Sequence, residues 1–183
     1  MLNIQGKKCL VVGGGKVACR KILSLLECNA AVTVIAPEAC DAILLLRQQR
    51  RINLIRRNYQ IGDVKRHFLV IAASNCGAVN EGVAREAQEE GVLVNVVDHR
   101  ELSTFIVPSV LRRGDLTVAV GTKGKSPLLA KLLKEELEGL LPKEYGDLLE
   151  KLGEARENLK KRDLSPRGKR QYYQEIINNS GLM

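Results

Sequence analysis

Short apolar runs alternate with segments of helical spacing through the first half of this 183-residue chain. Each apolar run predicts a buried strand, because it is short, rich in Val, Ile or Leu and bounded by polar or turn residues. The segments between the runs have the spacing of apolar residues that is typical of helices. The predicted strands lie at residues 9–12, 31–35, 52–55, 68–73 and 92–98, and the predicted helices at residues 17–26, 39–49 and 79–90. Strands and helices in this alternation predict an α/β fold with a doubly wound parallel sheet.

The pattern changes at about residue 102. Extended segments at 104–108 and 116–120 are followed by a loop at 121–125, and Ser126 and Pro127 then form a favourable helix start. This helix has a wide apolar stripe of Leu128, Leu129, Leu132, Leu133, Leu137, Leu140 and Leu141. The stripe either packs within the chain or forms a dimer interface, and the second interpretation is preferred.

Charged helical segments, broken at Ser165 and Pro166, fill the remainder of the chain. The changes of pattern divide the chain into three predicted segments, over 1–102, 103–142 and 143–183.

A glycine-rich turn follows the first strand. Gly13, Gly14 and Gly15 precede Lys16, Val17 and Ala18, where helical spacing begins. A tight strand-to-helix turn with a helix N-terminus holds a dinucleotide pyrophosphate in Rossmann-like folds. The motif alone is weak, but the strands around it favour this function, and the ends of later strands, including Ala73 and Ser74, should lie at the same edge of the sheet.

The second strand ends where an adenosine ribose would lie. Pro37 and Glu38 follow this strand, so Glu38 is a candidate for the ribose hydroxyl groups and the Pro37 backbone for the adenine site. NAD is favoured on this basis. NADP stays open, because five nearby arginines could meet a 2′-phosphate: Arg47, Arg50, Arg51, Arg56 and Arg57.

Composition narrows the class of protein. The formal charge of +8 favours an anionic ligand or partner, although a merely basic protein is the alternative, and only 3% of the residues are aromatic, which argues against base stacking on nucleic acid. No apolar run approaches the ~18 residues of a membrane span. Five cysteines without metal-like spacing indicate reduced residues in a cytoplasmic protein with no metal site.

Asp98 is the best candidate for acid–base chemistry, because it ends an apolar strand. A turn or capping role is the alternative. Asn95 could orient a ligand or form hydrogen bonds with backbone groups at the strand end. His99 could transfer protons or be an exposed imidazole without a function. Gly124, Lys125 and Ser126 do not complete an ATP-binding loop, because Ala119 stands where that motif needs its first glycine.

Five motifs in order give the chain a resemblance to a known family. They are Gly13–Lys21, Val34–Glu38, Asn95–Asp98, Phe105–Ser109 and Gly124–Leu128. Together they resemble the precorrin-2 dehydrogenase and sirohydrochlorin ferrochelatase family, in its stand-alone form or as the N-terminal half of sirohaem synthase. The resemblance is firm over residues 1–142 and looser in the helical tail.

The resemblance implies a homodimer that oxidises precorrin-2 to sirohydrochlorin with NAD, in sirohaem or cobalamin biosynthesis. It also implies a nucleotide-binding domain over 1–102, a dimerisation segment over 103–142 and a small helical domain over 143–183. Some relatives also insert Fe2+, so Fe2+ or Co2+ is a possible substrate. The family's important aspartate corresponds to Asp98, and its nucleotide contacts to the glycine turn with Lys16 and Val17 and to Pro37–Glu38.

Precorrin-2 carries acetate and propionate carboxylates, so positively charged residues at the entrance of the substrate site would attract and bind it. The expected substrate-binding residues are Asn95, His99, Arg100, Lys123, Lys125 and Ser126. For each of them, a role in the surface or in the local structure is the alternative. Two functions of other classes stay open: a non-catalytic NAD-sensing regulatory domain and a nucleic-acid-binding protein, although neither nucleic acid nor a membrane is the expected partner.

Overall fold

The computed structural model describes residues 2–162 and 165–182, and the chain divides into two compact units, Met1–Val107 and Pro108–Met183. The first unit follows the predicted alternation of strands and helices. Its elements are β1 (Lys8–Val12), α1 (Lys16–Glu27), β2 (Ala31–Ile35), α2 (Asp41–Gln48), β3 (Asn53–Ile55), β4 (Leu69–Ala72), α3 (Gly77–Glu89) and β5 (Leu93–Val96). The division into segments 1–102, 103–142 and 143–183 stays a prediction.

All five strands of this unit form one parallel sheet in the order β3-β2-β1-β4-β5. The strand order reverses between β1 and β4, and ligands of doubly wound sheets bind in the crevice at such a point. Val12 pairs with both Ile35 and Ala72, so the carboxyl ends of the three central strands are level.

Helices cover both faces of the sheet. Ile22 of α1 and Ile43 of α2 are fully buried on one face, and Val83 and Ala87 of α3 on the other. β1 and β4 are therefore apolar on both sides, as expected for central parallel strands. The predicted α/β fold of the Rossmann type is confirmed.

Side chains of a following segment cover the free edge of β5. The Thr104 hydroxyl accepts from the Val94 amide at 2.8 Å, and the Ser103 hydroxyl accepts from the Val96 amide at 2.9 Å. The Asn95 side-chain amide donates to the Phe105 carbonyl at 3.1 Å. These bonds satisfy backbone groups that an edge strand would otherwise expose.

The second unit begins with an antiparallel hairpin of β6 (Ser109–Arg113) and β7 (Leu116–Val120). The first strand lies further along the chain than the predicted segment 104–108, because Pro108 has no N–H for a strand ladder. The hairpin turn consists of two residues, Gly114 and Asp115, and Gly114 has a φ of +56°. Arg113, at the end of β6, donates from Nε to the Leu141 carbonyl at 2.7 Å.

In the described part of the second unit, the hairpin is followed by α4 (Pro127–Leu140), α5 (Glu144–Lys160) and α6 (Pro166–Asn178). Ser126 caps α4 as predicted, because its hydroxyl accepts from the Leu129 amide at 3.2 Å. Five predicted stripe residues are exposed by 38–71%: Leu128, Leu129, Leu132, Leu133 and Leu140. Among the described helices, none combines the length and the apolar character needed to cross a bilayer.

Candidate functional site

A cleft of 640 Å³, the carboxyl-edge cleft, lies at the carboxyl ends of the parallel strands. Loops after β1, β2, β3 and β4 form its walls, as expected for the ligand crevice of this fold. Its lining residues are Val12–Gly15, Ile35–Cys40, Asn58, Tyr59, Ala73–Cys76 and Val79.

Two glycines of the turn are required by close backbone contacts. Gly13 has a φ of +133°, and a Cβ there would lie 2.3 Å from the Ala73 carbonyl oxygen. A Cβ on Gly14 would lie 1.9 Å from the Glu38 carbonyl oxygen. The turn is thus packed between the loops after β4 and β2, and side chains are excluded from both positions.

Gly15 differs from its two neighbours, because a Cβ there would meet no atom within 4 Å. Gly15 occupies the N-cap position of α1, so the first N–H groups of the helix are left for a ligand or water. Of the predicted residues in this first turn, Lys16 is exposed, Val17 is half-buried and Ala18 is fully buried. None of these three side chains lines the carboxyl-edge cleft.

Asn80 fixes the loop that follows β4. Its side-chain oxygen accepts from the Ser74 amide at 3.0 Å, and its side-chain nitrogen donates to the Ser74 carbonyl at 2.9 Å. The Ser74 hydroxyl in turn accepts from the Cys76 amide at 3.0 Å. The predicted residues Ala73 and Ser74 therefore line the cleft in a defined conformation.

Glu86 of α3 organises the connection between β3 and β4. The carboxylate is buried and accepts from the Tyr59 hydroxyl, from the Gly62 amide at 2.9 Å and from the Val64 amide at 3.2 Å. Burial and the adjacent Glu86 charge raise the pKa of Tyr59, so its phenol stays a donor. Tyr59 is thereby held in the wall of the carboxyl-edge cleft.

The same connection contains a bidentate ion pair. The Arg57 guanidinium donates to both carboxylate oxygens of Asp63, at 2.7 and 2.6 Å. This hydrogen bonding lowers the pKa of Asp63, which also accepts from the Gln60 amide. Arg57 is thus engaged within its own loop.

Charge in the carboxyl-edge cleft comes from Glu38. Pro37 and Glu38 line the wall below the glycine turn, and both side chains are exposed. Within the described part of the chain, no lysine or arginine lines this cleft. Of the arginines considered for a 2′-phosphate, Arg50 and Arg51 line a different cleft at the opposite edge of the sheet.

Asp98 lies in a turn immediately beyond β5. The Val97 amide donates to the Ala72 carbonyl at 2.9 Å, which continues the sheet register, and the His99 amide donates to the Val96 carbonyl at 3.3 Å. Asp98 has a φ of +62° and is exposed, as are His99 and Arg100. The strand thus ends two residues before Asp98, and the turn brings its side chain to the surface.

Lys21 of α1 interacts electrostatically with Asp98. Burial lowers the pKa of Lys21, the charge of Arg20 lowers it further, and the charge of Asp98 acts in the opposite direction.

Asn95 is buried on β5. Its side-chain nitrogen donates to the Phe105 carbonyl, whereas its side-chain oxygen has no hydrogen-bond partner within the described residues. The strand end therefore combines a surface carboxylate with a buried amide. This arrangement allows Asn95 to fix the chain that leads into the Asp98 turn.

Three predicted substrate-binding residues belong to the second unit. Lys123, with a φ of +52°, and Lys125 are exposed in the loop before α4. The Ser126 hydroxyl is already engaged in capping α4. Over residues 2–162 and 165–182, no group of three or more His, Cys, Asp or Glu side chains could hold a metal ion.

The sequence interpretation missed several lining and supporting residues. Asn58 and Tyr59 follow β3, so the rule that strand ends meet at one edge would have identified them. Asn75 and Cys76 follow the Ala73–Ser74 strand end in the same way. Asn80 and Glu86 have no such signal, because their partners depend on tertiary packing.

The chain is similar in sequence and in structure to known proteins. Residues 1–109 match a family described as "Putative NAD(P)-binding", and residues 113–140 match one described as "Sirohaem biosynthesis protein central". The solved structure of "SirC, precorrin-2 dehydrogenase" matches with a TM-score of 0.81 and 32% identity, covering 97% of this chain and 87% of that one.

Curated relatives carry the name siroheme synthase. Those of Vesicomyosocius okutanii and Nitrosococcus oceani are 37% identical over 182 residues and 38% identical over 179 residues. These matches cover 100% and 98% of this chain but only 39% and 38% of the relatives, so the chain spans about two fifths of their length.

Proposed function

Because the chain belongs to the family of sirohaem-biosynthesis proteins that includes siroheme synthase and precorrin-2 dehydrogenase, we propose that it oxidises precorrin-2 to sirohydrochlorin with NAD. One observation carries the proposal. The glycine-lined cleft and the exposed Asp98 lie at the same carboxyl edge of one sheet, after the neighbouring strands β1, β4 and β5.

The residues of the carboxyl-edge cleft fit a dinucleotide. Gly15 has open space where a Cβ would be, and the first N–H groups of α1 face this position without a capping side chain. Backbone amides at a helix N-terminus bind pyrophosphate oxygens. We expect Gly13–Gly15 to hold the pyrophosphate, with Lys16 and Val17 contributing amides. NAD, when bound, accepts a hydride.

Charge supports NAD over NADP. Glu38 lines the wall after β2, where a carboxylate binds ribose hydroxyl groups and repels a 2′-phosphate. Arg57, which could have met such a phosphate, is held by Asp63. Glu38 is therefore the residue to which we assign the cofactor preference.

Asp98 is the proposed acid–base residue. The oxidation removes a hydride from a ring position of the substrate and a proton from a neighbouring atom, and the Asp98 carboxylate would accept this proton. Its exposed position at the end of β5 leaves room for a large substrate to reach it. We expect Asn95 to act by positioning the Asp98 turn.

Cationic residues would bind the substrate carboxylates. Arg100 follows Asp98 directly in the chain, and His99 is exposed beside it. Lys123 and Lys125 are likewise exposed in their loop. With a net charge of +8, the protein would attract a polycarboxylate, and this attraction should weaken with salt.

The exposed leucines of α4 support a homodimer as the functional form. Leu128 and Leu140, near the two ends of the helix, are 66% and 71% exposed. A contiguous apolar helix face of this kind is typical of an interface. The proposed dimer would cover it with the same helix of a second copy.

The test is an anaerobic assay of the purified chain with precorrin-2 and NAD, in which absorbance follows sirohydrochlorin and NADH. We expect Asp98→Asn to lower kcat by about 10²–10⁴-fold while the Kd for NAD stays unchanged. Wild-type turnover by this variant would remove Asp98 from the mechanism.

Two further arms address the alternatives. NAD binding without any turnover by the wild type would instead indicate a nucleotide-sensing domain. Addition of Fe2+ or Co2+ to sirohydrochlorin tests separately the alternative that the chain also inserts a metal ion.

A further inference from the structure

A second cleft of 580 Å³ lies at the amino ends of the strands, on the edge of the sheet opposite to the carboxyl-edge cleft. This amino-edge cleft is lined by Lys8, Ala31–Thr33, Arg50–Asn53 and Lys65–His67. Lys8 at the start of β1 lines this cleft and Val12 at its end lines the carboxyl-edge cleft, so four residue steps, or about 13 Å, separate the two along the strand. The amino-edge cleft is therefore a distinct place in the first unit.

Positive charge dominates the amino-edge cleft. Its cationic lining residues, contributed by three separate chain segments, are Lys8, Arg50, Arg51, Lys65 and Arg66. Lys65 pairs with Glu90 at 3.3 Å, through side chains that are 57% and 38% exposed. For the other four, no salt bridge to a described acidic residue is formed, and no described Asp or Glu lines the cleft. The five exposed cations thus lie together around one open depression of the first unit.

Backbone geometry sets two arginines at the rim. Arg50 has a φ of +56° and follows α2, where its amide donates to the Arg47 carbonyl at 2.9 Å and the Arg51 amide donates to the Leu46 carbonyl at 3.0 Å. Arg66 has a φ of +66°. Glycine adopts this conformation at lower cost and is the usual residue after a helix. Arginine thus occupies two positions that backbone preference alone would give to glycine.

We propose that the amino-edge cleft binds a small anion with two or more phosphate groups. Guanidinium groups form paired hydrogen bonds with phosphate oxygens, and each phosphate group brings up to two negative charges to match the five cations. The volume of 580 Å³ is that of a small-molecule site. None of the described Phe or Tyr residues lines the cleft to stack on bases, so a small ligand is favoured over a nucleic acid.

The test titrates tripolyphosphate into the full chain and into the Arg50→Gly/Arg66→Gly variant by calorimetry. Glycine suits both backbone positions, so the variant should keep the Tm of the wild type. We expect saturable binding by the wild type and about tenfold weaker affinity for each arginine removed. Should the double variant fail to fold, Arg50→Gly alone serves the same comparison.

An Arg85→Ala/Arg156→Ala variant is the charge-matched control, because both side chains are exposed and neither lines the cleft. Its affinity for tripolyphosphate should stay within about twofold of the wild type. An equal loss in this control would overturn the proposal, since the binding would then follow net charge alone. So would the absence of binding by the wild type.

Three other probes distinguish the ligand class and the site. Citrate that binds as tightly as tripolyphosphate would overturn the assignment to phosphate. An oligonucleotide whose affinity rises with length and exceeds that of tripolyphosphate would indicate a nucleic-acid surface instead. Titration with NAD should give the same Kd for the wild type and for Arg50→Gly/Arg66→Gly, and a weaker Kd in the variant would place these arginines in nucleotide binding.

Discussion

Asn80 and Ser74 exchange two hydrogen bonds, one in each direction, at 3.0 and 2.9 Å. Asn80 is 6% exposed, so its amide replaces water as the partner of the Ser74 backbone. Ser74 belongs to the loop that the Gly13 backbone touches. The shape of the carboxyl-edge cleft therefore depends on a side chain of α3 that lies outside its surface.

Asn80→Ala should weaken both the fold and nucleotide binding. The substitution leaves the Ser74 amide and carbonyl without partners, which costs about 1–3 kcal/mol of unfolding free energy. Urea denaturation measures this loss, and titration with NAD should give a raised Kd. Asn80→Asp keeps the acceptor for the Ser74 amide, so its effects should be smaller. An unchanged Kd in Asn80→Ala would separate this loop from the binding site.

Alanine at Gly14 and at Gly15 should have opposite consequences. Gly14→Ala forces the Glu38 backbone to move, since the new Cβ would lie 1.9 Å from its carbonyl oxygen. We expect a fall in Tm. Gly15→Ala meets no protein atom within 4 Å and has a φ of −84°, so it should keep the wild-type Tm but place a methyl group where a pyrophosphate would approach. Thermal melts with and without NAD compare the two variants, and equal Tm values without NAD would contradict the prediction.

Local patterns predicted the elements that are locally determined. β2 spans Ala31–Ile35 as its apolar run indicates, and Ser126 caps α4 because capping involves a residue only three positions away. The segment 104–108, predicted as extended, precedes the hairpin, whose first strand begins at Ser109, directly after Pro108, which has no N–H to donate to a strand partner.

Tertiary contacts account for what the sequence could not supply. The Glu86 carboxylate bonds to the Tyr59 hydroxyl, 27 positions away, and nothing in the local pattern distinguishes Glu86 from a surface residue of α3. The same holds for the amino-edge cleft. Its cations come from segments that are far apart in the chain and meet only when β1, β2 and β3 align.

Stability should fall as the pH rises above about 9. Burial raises the pKa of the Cys9 thiol from 9.0 to about 11, with a smaller contribution from Cys28. Between these values the unfolded chain has lost a proton that the native state keeps, so the free energy of unfolding decreases with pH. Urea midpoints between pH 8 and 11 measure the slope, which should be smaller in Cys9→Ala.

A second group, Tyr59, should add to the slope at higher pH. The pKa of its phenol is raised above the ordinary value of 10.0 by burial and by Glu86, so its contribution to stability is lost only as the pH rises beyond 10.0. Tyr59→Phe removes this contribution and should flatten the upper part of the profile. The same slope in this variant as in the wild type would show that the Tyr59 phenol titrates alike in both states.

Leu132→Glu on α4 should separate the proposed dimer without unfolding the chain. Leu132 is 48% exposed, so a charged side chain costs little in the isolated chain, whereas two copies of the charge would be buried in an interface that pairs this face with itself. Light scattering after size exclusion should show a dimer for the wild type and a monomer for the variant, with the same helical circular dichroism. Lys131→Gln gives the same change in net charge next to this face and breaks only an exposed pair with Glu135 at 3.6 Å, so it should remain dimeric. If the wild type is a monomer, or if Leu132→Glu stays a dimer, the leucine face of α4 is not the interface.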